Sequence, residues 1–171
     1  DPTAPGALAV KTIVVDKRED VNVETTGEIN ITAGGNVYLG SEVDLNIDTV
    51  QAGSTVRIKG GGGIYNVATS GGSNVASSDL ILEAAEGPIG TSGTKFYTNL
   101  TTGSTITGRA RDDIYIVERS GNMNVETMFS ETGDIYLQAD GSIIDALDND
   151  YTKIKAANIQ LTSDNGGIGE S

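Results

Sequence analysis

The chain has 171 residues, of which 24 are acidic and 11 are basic, giving a formal net charge of −13, and it contains neither cysteine nor histidine. The two missing residue types exclude disulfides, thiolate and imidazole metal ligands and histidine-dependent catalytic triads, and the acidic balance without a dense Lys/Arg cluster argues against nucleic-acid binding. No apolar run approaches the ~20 residues of a membrane-spanning helix, so the chain is not predicted to span a membrane.

The first 19 residues are predicted to be an N-terminal lead-in or cap, because they lack the repeated element that begins near residue 20. They have neither the basic n-region nor the apolar h-region of a signal peptide. We therefore expect either that a signal was removed or that the sequence is a segment of a longer protein. Residues 20–171 are predicted to form a single domain.

An apolar-x-apolar element recurs from residue 20 almost to the C-terminus and is separated by Gly- and Asn-rich turns. Its clearest copies are Val21-Asn22-Val23, Ile29-Asn30-Ile31, Val37-Tyr38-Leu39, Leu45-Asn46-Ile47, Val56-Arg57-Ile58, Ile114-Tyr115-Ile116, Met123-Asn124-Val125, Ile135-Tyr136-Leu137 and Ile159-Gln160-Leu161. Alternation with a period of two and abundant β-branched residues are typical of short strands whose middle side chains point outward. No window has a sustained helical period, so we predict an all-β chain with essentially no helix.

A longer pattern, apolar-Asn-apolar-acid-Thr, recurs around Asn22, Asn46 and Asn124. The first two copies are 24 residues apart, about the length of one coil of a parallel β-helix, and the three asparagines could form amide ladders between coils. The preferred fold is therefore a parallel β-helix of about seven or eight rungs. The alternative is a pair of tandem β-sandwiches divided near residue 90, because short strands with Gly-rich turns also fit that class.

Residues 80–90 and 159–169 are similar in sequence and lie 79 positions apart. Self-similarity at a fixed spacing is typical of solenoids. We therefore predict that the β-helix consists of two long repeats, at about 20–90 and 91–171, laid over the shorter coil.

Gly60 through Gly63 form a run of four glycines. No Gly-Lys-Ser/Thr sequence follows it, so a phosphate-binding loop is not predicted. We predict instead a corner of the chain that requires positive φ.

Tyr38, Tyr115 and Tyr136 each occupy the middle, outward position of an apolar-x-apolar element. Tyr38 and Tyr115 take corresponding places in the two long repeats. Aromatic rings exposed on a flat sheet can stack on sugar faces, so the three are candidate ligand-binding residues, with cell-surface glycans as the ligand class. In the alternative interpretation, tyrosine is present for its β-propensity and covers aliphatic neighbours.

Asp112-Asp113 and Arg57-Ile58-Lys59 resemble the paired acids and the basic tripeptide of pectin-cleaving β-helix enzymes. Their order along the chain is reversed, and the Gly-His-Gly element of those enzymes is missing. In the alternative interpretation, Asp113 occupies the turn position before a strand, as Asp134 does. We therefore predict no catalytic residues and no enzymatic activity.

The densest acidic cluster consists of Asp140, Asp145, Asp148, Asn149 and Asp150. Oxygen ligands at short spacing suit Ca²⁺, so Asp145, Asp148 and Asp150 are candidate calcium ligands, and no other cofactor is predicted. The spacing does not fit an EF-hand loop, which has Gly at its sixth position and Glu at its twelfth. The alternative is a solvated loop between Ile144 and Ile154.

Four segments share a degenerate pattern of aliphatic residues, Gly and Asp. They read GEINITAGGNV at 27–37, DIYI at 113–116, GDIYLQADGSI at 133–143 and NGGIG at 165–169. These motifs resemble the repeats of large bacterial exoproteins, the filamentous-haemagglutinin-like adhesins, and the resemblance covers most of residues 20–171. It implies a right-handed parallel β-helix, export to the cell surface or the medium, and a role as a stalk or adhesive fibre.

The preferred functional hypothesis is therefore a structural or adhesive repeat module of an exported bacterial surface or fibre-forming protein. Its predicted partners are further copies of itself or neighbouring repeats of the same protein, stacked end to end through unpaired strand edges. The alternative is a polysaccharide-binding or polysaccharide-degrading domain on the same scaffold.

Overall fold

The computed structural model describes residues 20–169, so the predicted lead-in or cap at 1–19 lies outside the described residues. Within residues 20–169 the chain forms short strands and no helix. In chain order the strands are β1 (Val21–Asn22), β2 (Glu28–Ala33), β3 (Val37–Ser41), β4 (Leu45–Ala52), β5 (Val56–Gly60), β6 (Ile64–Asn66), β7 (Val75–Ser77), β8 (Leu80–Ala84), β9 (Phe96–Leu100), β10 (Thr105–Ala110), β11 (Ile114–Glu118), β12 (Met123–Ser130), β13 (Ile135–Ala139), β14 (Ile143–Asp145), β15 (Ile154–Lys155) and β16 (Ile159–Ser163).

The strands form two parallel sheets, and the chain alternates between them. The first sheet has the order β1-β3-β5-β8-β10-β12-β14, with β15 also paired to β12. The second has the order β2-β4-β7-β9-β11-β13-β16, with β6 also paired to β4. Each full turn adds one position to each sheet, so residues 20–169 make seven coils. The predicted parallel β-helix is confirmed, and the alternative of tandem sandwiches, whose strands pair antiparallel, is wrong.

Coil length varies along the solenoid. Val21 pairs with Leu39, 18 positions on, whereas Leu80 pairs with Ile106, 26 positions on. The extra residues lie between strands, as in segment 67–74, which separates β6 from β7. Because such connections run over the surface, they absorb insertions without disturbing the stacked strands.

The core is a stack of inward-facing aliphatic side chains. In the second sheet Ile64, Ile89, Ile114 and Ile135 occupy one column, and each is at most 1% exposed. Burying one such side chain stabilises the fold by about 1.5–3 kcal/mol. A chain with only 5% aromatic residues therefore builds a continuous core by repeating small contributions from coil to coil.

The two similar segments, 80–90 and 159–169, begin on opposite sheets. Leu80–Ala84 forms β8 in the first sheet, whereas Ile159–Ser163 forms β16 in the second. The offset therefore corresponds to about three and a half coils. In both copies a strand is followed by a Gly-containing turn and then by an isoleucine, Ile89 or Ile168, that bridges to the other sheet. The repeated sequence thus describes half of a coil.

The predicted amide ladder of Asn22, Asn46 and Asn124 does not form. Asn22 and Asn124 lie in the first sheet and Asn46 lies in the second, so none stacks on another. The 24-residue step crosses to the other sheet because the first coils are only 18–19 residues long. Asn46 and Asn124 instead donate a side-chain N–H to the Thr26 and Ser104 carbonyls of the preceding coil, at 3.2 and 2.9 Å.

The glycine run Gly60–Gly63 contains no residue with positive φ, so the predicted left-handed corner is wrong. Within the run, Gly61 and Gly62 are required because the preceding coil, at Glu42 and Asp44, leaves no room for a side chain. A Cβ on Gly61 would overlap the Glu42 carbonyl, and a Cβ on Gly87, in the next coil, would lie 2.7 Å from the Gly63 nitrogen. Positive φ occurs instead at Gly71, Gly90, Gly103, Gly121 and Gly169.

Gly87→Ala is expected to lower the free energy of unfolding by about 1–3 kcal/mol, the usual cost of overpacking. The nearest atoms to its Cβ would all be backbone atoms of Gly62 and Gly63, which cannot move without shifting a coil. Gly93→Ala is the matched control, because nothing lies within 4 Å of its Cβ position, and we expect it to be neutral or slightly stabilising. Urea denaturation measures both variants, and equal stabilities would contradict the close approach of the two coils.

Candidate functional site: a tyrosine column and its acidic turns

The outward face of the first sheet carries charged residues that pair between coils. Lys59, Glu83 and Arg109 lie in register on successive strands. The Lys59 and Arg109 nitrogens approach the Glu83 carboxylate at 3.5 and 3.4 Å. Opposite charges on neighbouring strands stabilise a sheet. This row was not predicted from the sequence, although its alternating charges recur at the spacing of one coil.

Tyr38 lies on this first sheet, apart from the other two tyrosines singled out from the sequence. The guanidinium carbon of Arg57 lies 4.6 Å from the centre of its ring, and Arg57 also forms an ion pair with Asp20. One face of the Tyr38 ring is therefore covered by a cation–π contact, which leaves less of it for a ligand.

Tyr115 and Tyr136 lie in register on the neighbouring strands β11 and β13 of the second sheet. Their ring centres are 6.1 Å apart and their planes are inclined by 28°, which makes them a stacked pair. The ammonium nitrogen of Lys95 lies 4.4 Å from the centre of the Tyr136 ring. The structure therefore brings together two of the three candidate tyrosines, and both are partly exposed.

Two further positions of this column, one tyrosine and one glycine, were not predicted from the sequence. Tyr65 and Gly90 take the equivalent positions in two earlier coils, because the isoleucines before them pair in register with the isoleucine before Tyr115. Gly90 has a φ of 65°, and a Cβ there would lie 2.7 Å from the Tyr115 carbonyl oxygen. The column thus has a gap between Tyr65 and Tyr115. The recurring Ile-Tyr dipeptides, with Ile-Gly in one coil, were the available sequence signal.

Acidic side chains surround the turn end of the column. Burial, followed by the negative charges of Asp113 and Asp134, raises the pKa of Tyr115. Burial is also the main cause that raises the pKa of Tyr65. Both phenols therefore stay protonated at neutral pH and can donate hydrogen bonds.

The aspartates that precede the strands hold the following coil. Asp113 Oδ1 accepts the backbone N–H of Asp134 at 2.8 Å, and Asp134 Oδ1 accepts that of Asn158 at 2.9 Å. Asp44 accepts the N–H of Gly63 at 2.8 Å in the same way. These contacts support the structural interpretation of Asp113 as a residue of the turn before a strand.

The arrangement of a pectin-cleaving enzyme is not assembled. Arg57 and Lys59 lie on the first sheet, where they pair with Asp20 and Glu83. Asp112, in the turn before β11, accepts a hydrogen bond from the Thr132 hydroxyl at 3.5 Å. The acids and the basic tripeptide that resemble those enzymes therefore belong to separate networks.

Asp113→Ala is expected to lower the free energy of unfolding by about 1–2 kcal/mol, because the Asp134 N–H loses its acceptor. Asp113→Asn keeps an oxygen in the same position and is the matched control, with an expected change below about 0.5 kcal/mol. Thermal denaturation measures both. A loss for the asparagine variant as large as that for alanine would show that the charge, and not the acceptor, stabilises the turn.

Asp145 organises its own loop. Its Oδ1 accepts the N–H groups of Leu147 and Asp148 at 2.8 and 3.2 Å, and the Lys153 ammonium lies 3.5 Å away. Burial raises the pKa of Asp145, but loop hydrogen bonds and the Lys153 charge outweigh it, so the pKa is lowered. Asp148 and Asp150 do not complete a site, since no group of three or more His, Cys, Asp or Glu side chains is gathered for a metal within residues 20–169. Calcium binding stays a prediction.

Glu118 is a buried carboxylic acid that the sequence analysis did not single out. It is 1% exposed, at an inward position of β11. The Thr98 hydroxyl donates to its Oε2 at 2.7 Å, and the Leu100 N–H donates to its Oε1 at 3.1 Å. Burial raises the pKa of Glu118, and the hydrogen bonds oppose that shift only in part.

No protein-family model, curated protein or solved structure matches this chain. The resemblance to filamentous-haemagglutinin-like repeats therefore stays a prediction. Residues 20–169 contain no helix with the length and hydropathy needed to cross a bilayer.

Proposed function

We propose that this chain is a structural module of an exported bacterial surface or fibre-forming protein, in which β-coils stack end to end. The observation that carries the proposal is the exposed core of the last described coil. Ile159 is 47% exposed, whereas Ile135, one coil earlier in the same column, is 1% exposed. Ile168 is 52% exposed, whereas Ile143 beneath it is 3% exposed. A further coil would cover both side chains.

The backbone at this end also favours addition of a strand. Among the described strands β16 pairs only with β13, so one of its edges has no partner there. Unpaired strand edges are templates for pairing with further chain. In the first described strand Val21 is 68% exposed, whereas Leu39, its partner in the next coil, is 3% exposed. The partners proposed are neighbouring repeats of the same protein or a second copy of this chain.

Stacked coils suit a mechanical role. Each coil contacts only its neighbours, so length is added without a larger core, and the hydrogen bonds between coils run along the direction of the stack. Export to the bacterial surface or the medium is proposed from the sequence resemblance. An adhesive role would place the ligand-binding surface on the outward side chains of the two sheets.

Self-stacking is tested by sedimentation velocity over a range of concentrations and by negative-stain imaging. We expect concentration-dependent, end-to-end assembly that is abolished when Ile159→Asp and Ile168→Asp are combined. Leu147→Asp is the matched control, because Leu147 is 50% exposed but lies in the loop after β14. A chain that stays monomeric at every concentration, or assembly that only Leu147→Asp abolishes, would contradict stacking through the coil ends.

A second candidate function is polysaccharide binding, favoured by the stacked, partly exposed pair of Tyr115 and Tyr136. A glycan array tests it, with Tyr136→Ala as the variant expected to lose signal and Tyr38→Ala as the control on the other sheet. No glycan retained above background would end this candidate. Polysaccharide degradation is tested by reducing-sugar release, with Asp112→Asn and Asp113→Asn as controls.

A further inference from the structure

The gap at Gly90 opens a notch beside the Tyr115 ring. The notch has a volume of about 460 Å³, which lies within the roughly 300–1,000 Å³ of small-molecule pockets. Its walls come from three successive coils: the turn at 88–92, the turn at 112–113 with Tyr115, and the turn at 132–133. Because Gly90 has no side chain, the Tyr115 ring has no aromatic neighbour on this side, whereas Tyr136 stacks on the other.

The rim of the notch is held in place before any ligand arrives. The Thr91 N–H donates to the Thr94 carbonyl at 2.9 Å, and the Thr94 N–H donates to the Thr91 hydroxyl at 3.0 Å. Asp113 is fixed on the opposite wall by its bond to the Asp134 N–H. Walls that are already held by hydrogen bonds lose less conformational entropy when a ligand binds.

Hydrogen-bond acceptors converge on the notch. Asp113 uses one carboxylate oxygen for the neighbouring coil, and its Oδ2 has no hydrogen bond to any described residue. Asp112 is exposed, and within residues 20–169 its side chain accepts one hydrogen bond, from the Thr132 hydroxyl at 3.5 Å. Two adjacent carboxylates beside a ring suit a ligand with several hydroxyl donors and an apolar face.

The charge of the notch restricts the class of ligand. The residues that line it are all described, and they include two carboxylates but no lysine or arginine. Arg111, next in sequence to Asp112, forms its ion pair with Glu86. Like charges at a binding surface are repelled, so uronic acids, sialic acids and sulfated or phosphorylated sugars are disfavoured.

We propose that this notch binds one ring of an uncharged or amino-bearing hexopyranose, with the CH face of the sugar on Tyr115 and its hydroxyls on Asp112 and Asp113. The proposal deepens the polysaccharide-binding candidate and does not depend on end-to-end stacking. Gly90 itself cannot take a side chain without strain, because its φ is 65° and a Cβ would lie 2.7 Å from the Tyr115 carbonyl oxygen and 2.8 Å from the Phe96 nitrogen.

Isothermal titration calorimetry with three hexasaccharides, of glucose, glucosamine and galacturonic acid, tests the proposal. We expect the glucose or glucosamine hexamer to bind and the galacturonate hexamer not to bind. Tyr115→Ala and Asp112→Asn are each expected to weaken binding by about tenfold or more. Tyr38→Ala is expected to leave binding unchanged, and Asp113→Asn preserves the acceptor of the coil while removing the charge.

The outcomes separate the notch from the wider candidate function. Binding that Asp112→Asn and Asp113→Asn leave intact but Tyr136→Ala abolishes would move the sugar to the stacked pair and overturn the notch alone. Preference for the galacturonate hexamer would overturn the proposed ligand class. No heat of binding from any of the three at millimolar sugar, with no signal on the glycan array, would overturn the notch and the polysaccharide-binding candidate together.

Discussion

Replacing Phe96 with alanine is expected to lower the free energy of unfolding by about 3–5 kcal/mol. Phe96 is fully buried at the start of β9 and pairs in register with Ile116. The walls of the resulting cavity belong to coils held at fixed spacing by backbone hydrogen bonds. They can therefore collapse only partly around the smaller side chain, so the cost of the cavity adds to the lost burial.

The neighbouring aromatic residue provides the matched control. Tyr97 points outward on the same strand, with the Arg119 guanidinium carbon 4.0 Å from the centre of its ring. Tyr97→Ala should cost about 1 kcal/mol, the size of a partly exposed cation–π contact. Urea denaturation measures both variants, and equal losses would contradict the inward and outward assignment of the two side chains.

The strands and their parallel stacking could be predicted from the sequence, because both depend on local patterns. Alternation such as Ile114-Tyr115-Ile116, bounded by Gly and Asn, specifies a short strand with one buried face. Recurrence of that element then predicts a solenoid. These inferences require no knowledge of which strand pairs with which.

Register could not be predicted, because coil length varies between 18 and 26 residues. A constant coil would stack Asn46 on Asn22, but the short first coils move Asn46 to the other sheet. The same variation placed the two copies of the 79-residue repeat on opposite sheets. Contacts between coils, such as the close approach of Glu42 that requires Gly61, depend on register. They therefore could not be predicted either.

The candidate site could be predicted only in part, because its arrangement also depends on register. Period-two alternation identified Tyr115 and Tyr136 as outward residues, but only the register shows that they stack and that Tyr38 lies elsewhere. Gly90 was not predicted as part of the column, because the Ile-Gly dipeptide takes the place of Ile-Tyr only once the coils are aligned in register. A notch is defined by an absent side chain, and such a feature appears only once the neighbouring coils are aligned.

Glu118→Ala is expected to lower the free energy of unfolding by about 2–4 kcal/mol at neutral pH, because buried hydrogen-bond donors lose their acceptor. The Leu100 N–H and the Thr98 hydroxyl both donate to this carboxylate. Glu118→Gln keeps one acceptor oxygen and the volume of the side chain, so it should retain more stability than alanine. Because glutamine does not ionise, this variant also removes the contribution of the Glu118 carboxyl to the pH dependence of stability.

The pH dependence of the Glu118→Gln variant follows from the direction of the pKa shift. Burial raises the pKa of Glu118 above its usual 4.5, so the folded chain holds this proton more tightly than the unfolded chain. The stability contributed by the group is then complete below pH 4.5 and is lost as the pH rises through the folded pKa. The stability of the unmodified chain therefore falls between pH 4.5 and the folded pKa of Glu118. The free energy of unfolding of the glutamine variant, measured relative to that of the unmodified chain, is expected to increase over this pH interval.

The difference between the two chains is the quantity to measure, because every other carboxylate titrates in both. Asp145, whose pKa is lowered, has the opposite effect on stability and cancels in the comparison. Thr98→Val provides a second test, since it removes a hydrogen bond that lowers the pKa of Glu118 and should extend the interval to higher pH. Urea denaturation at closely spaced pH values gives the curves. A difference that stays constant with pH would mean that Glu118 is as easily ionised in the folded coil as in the unfolded chain.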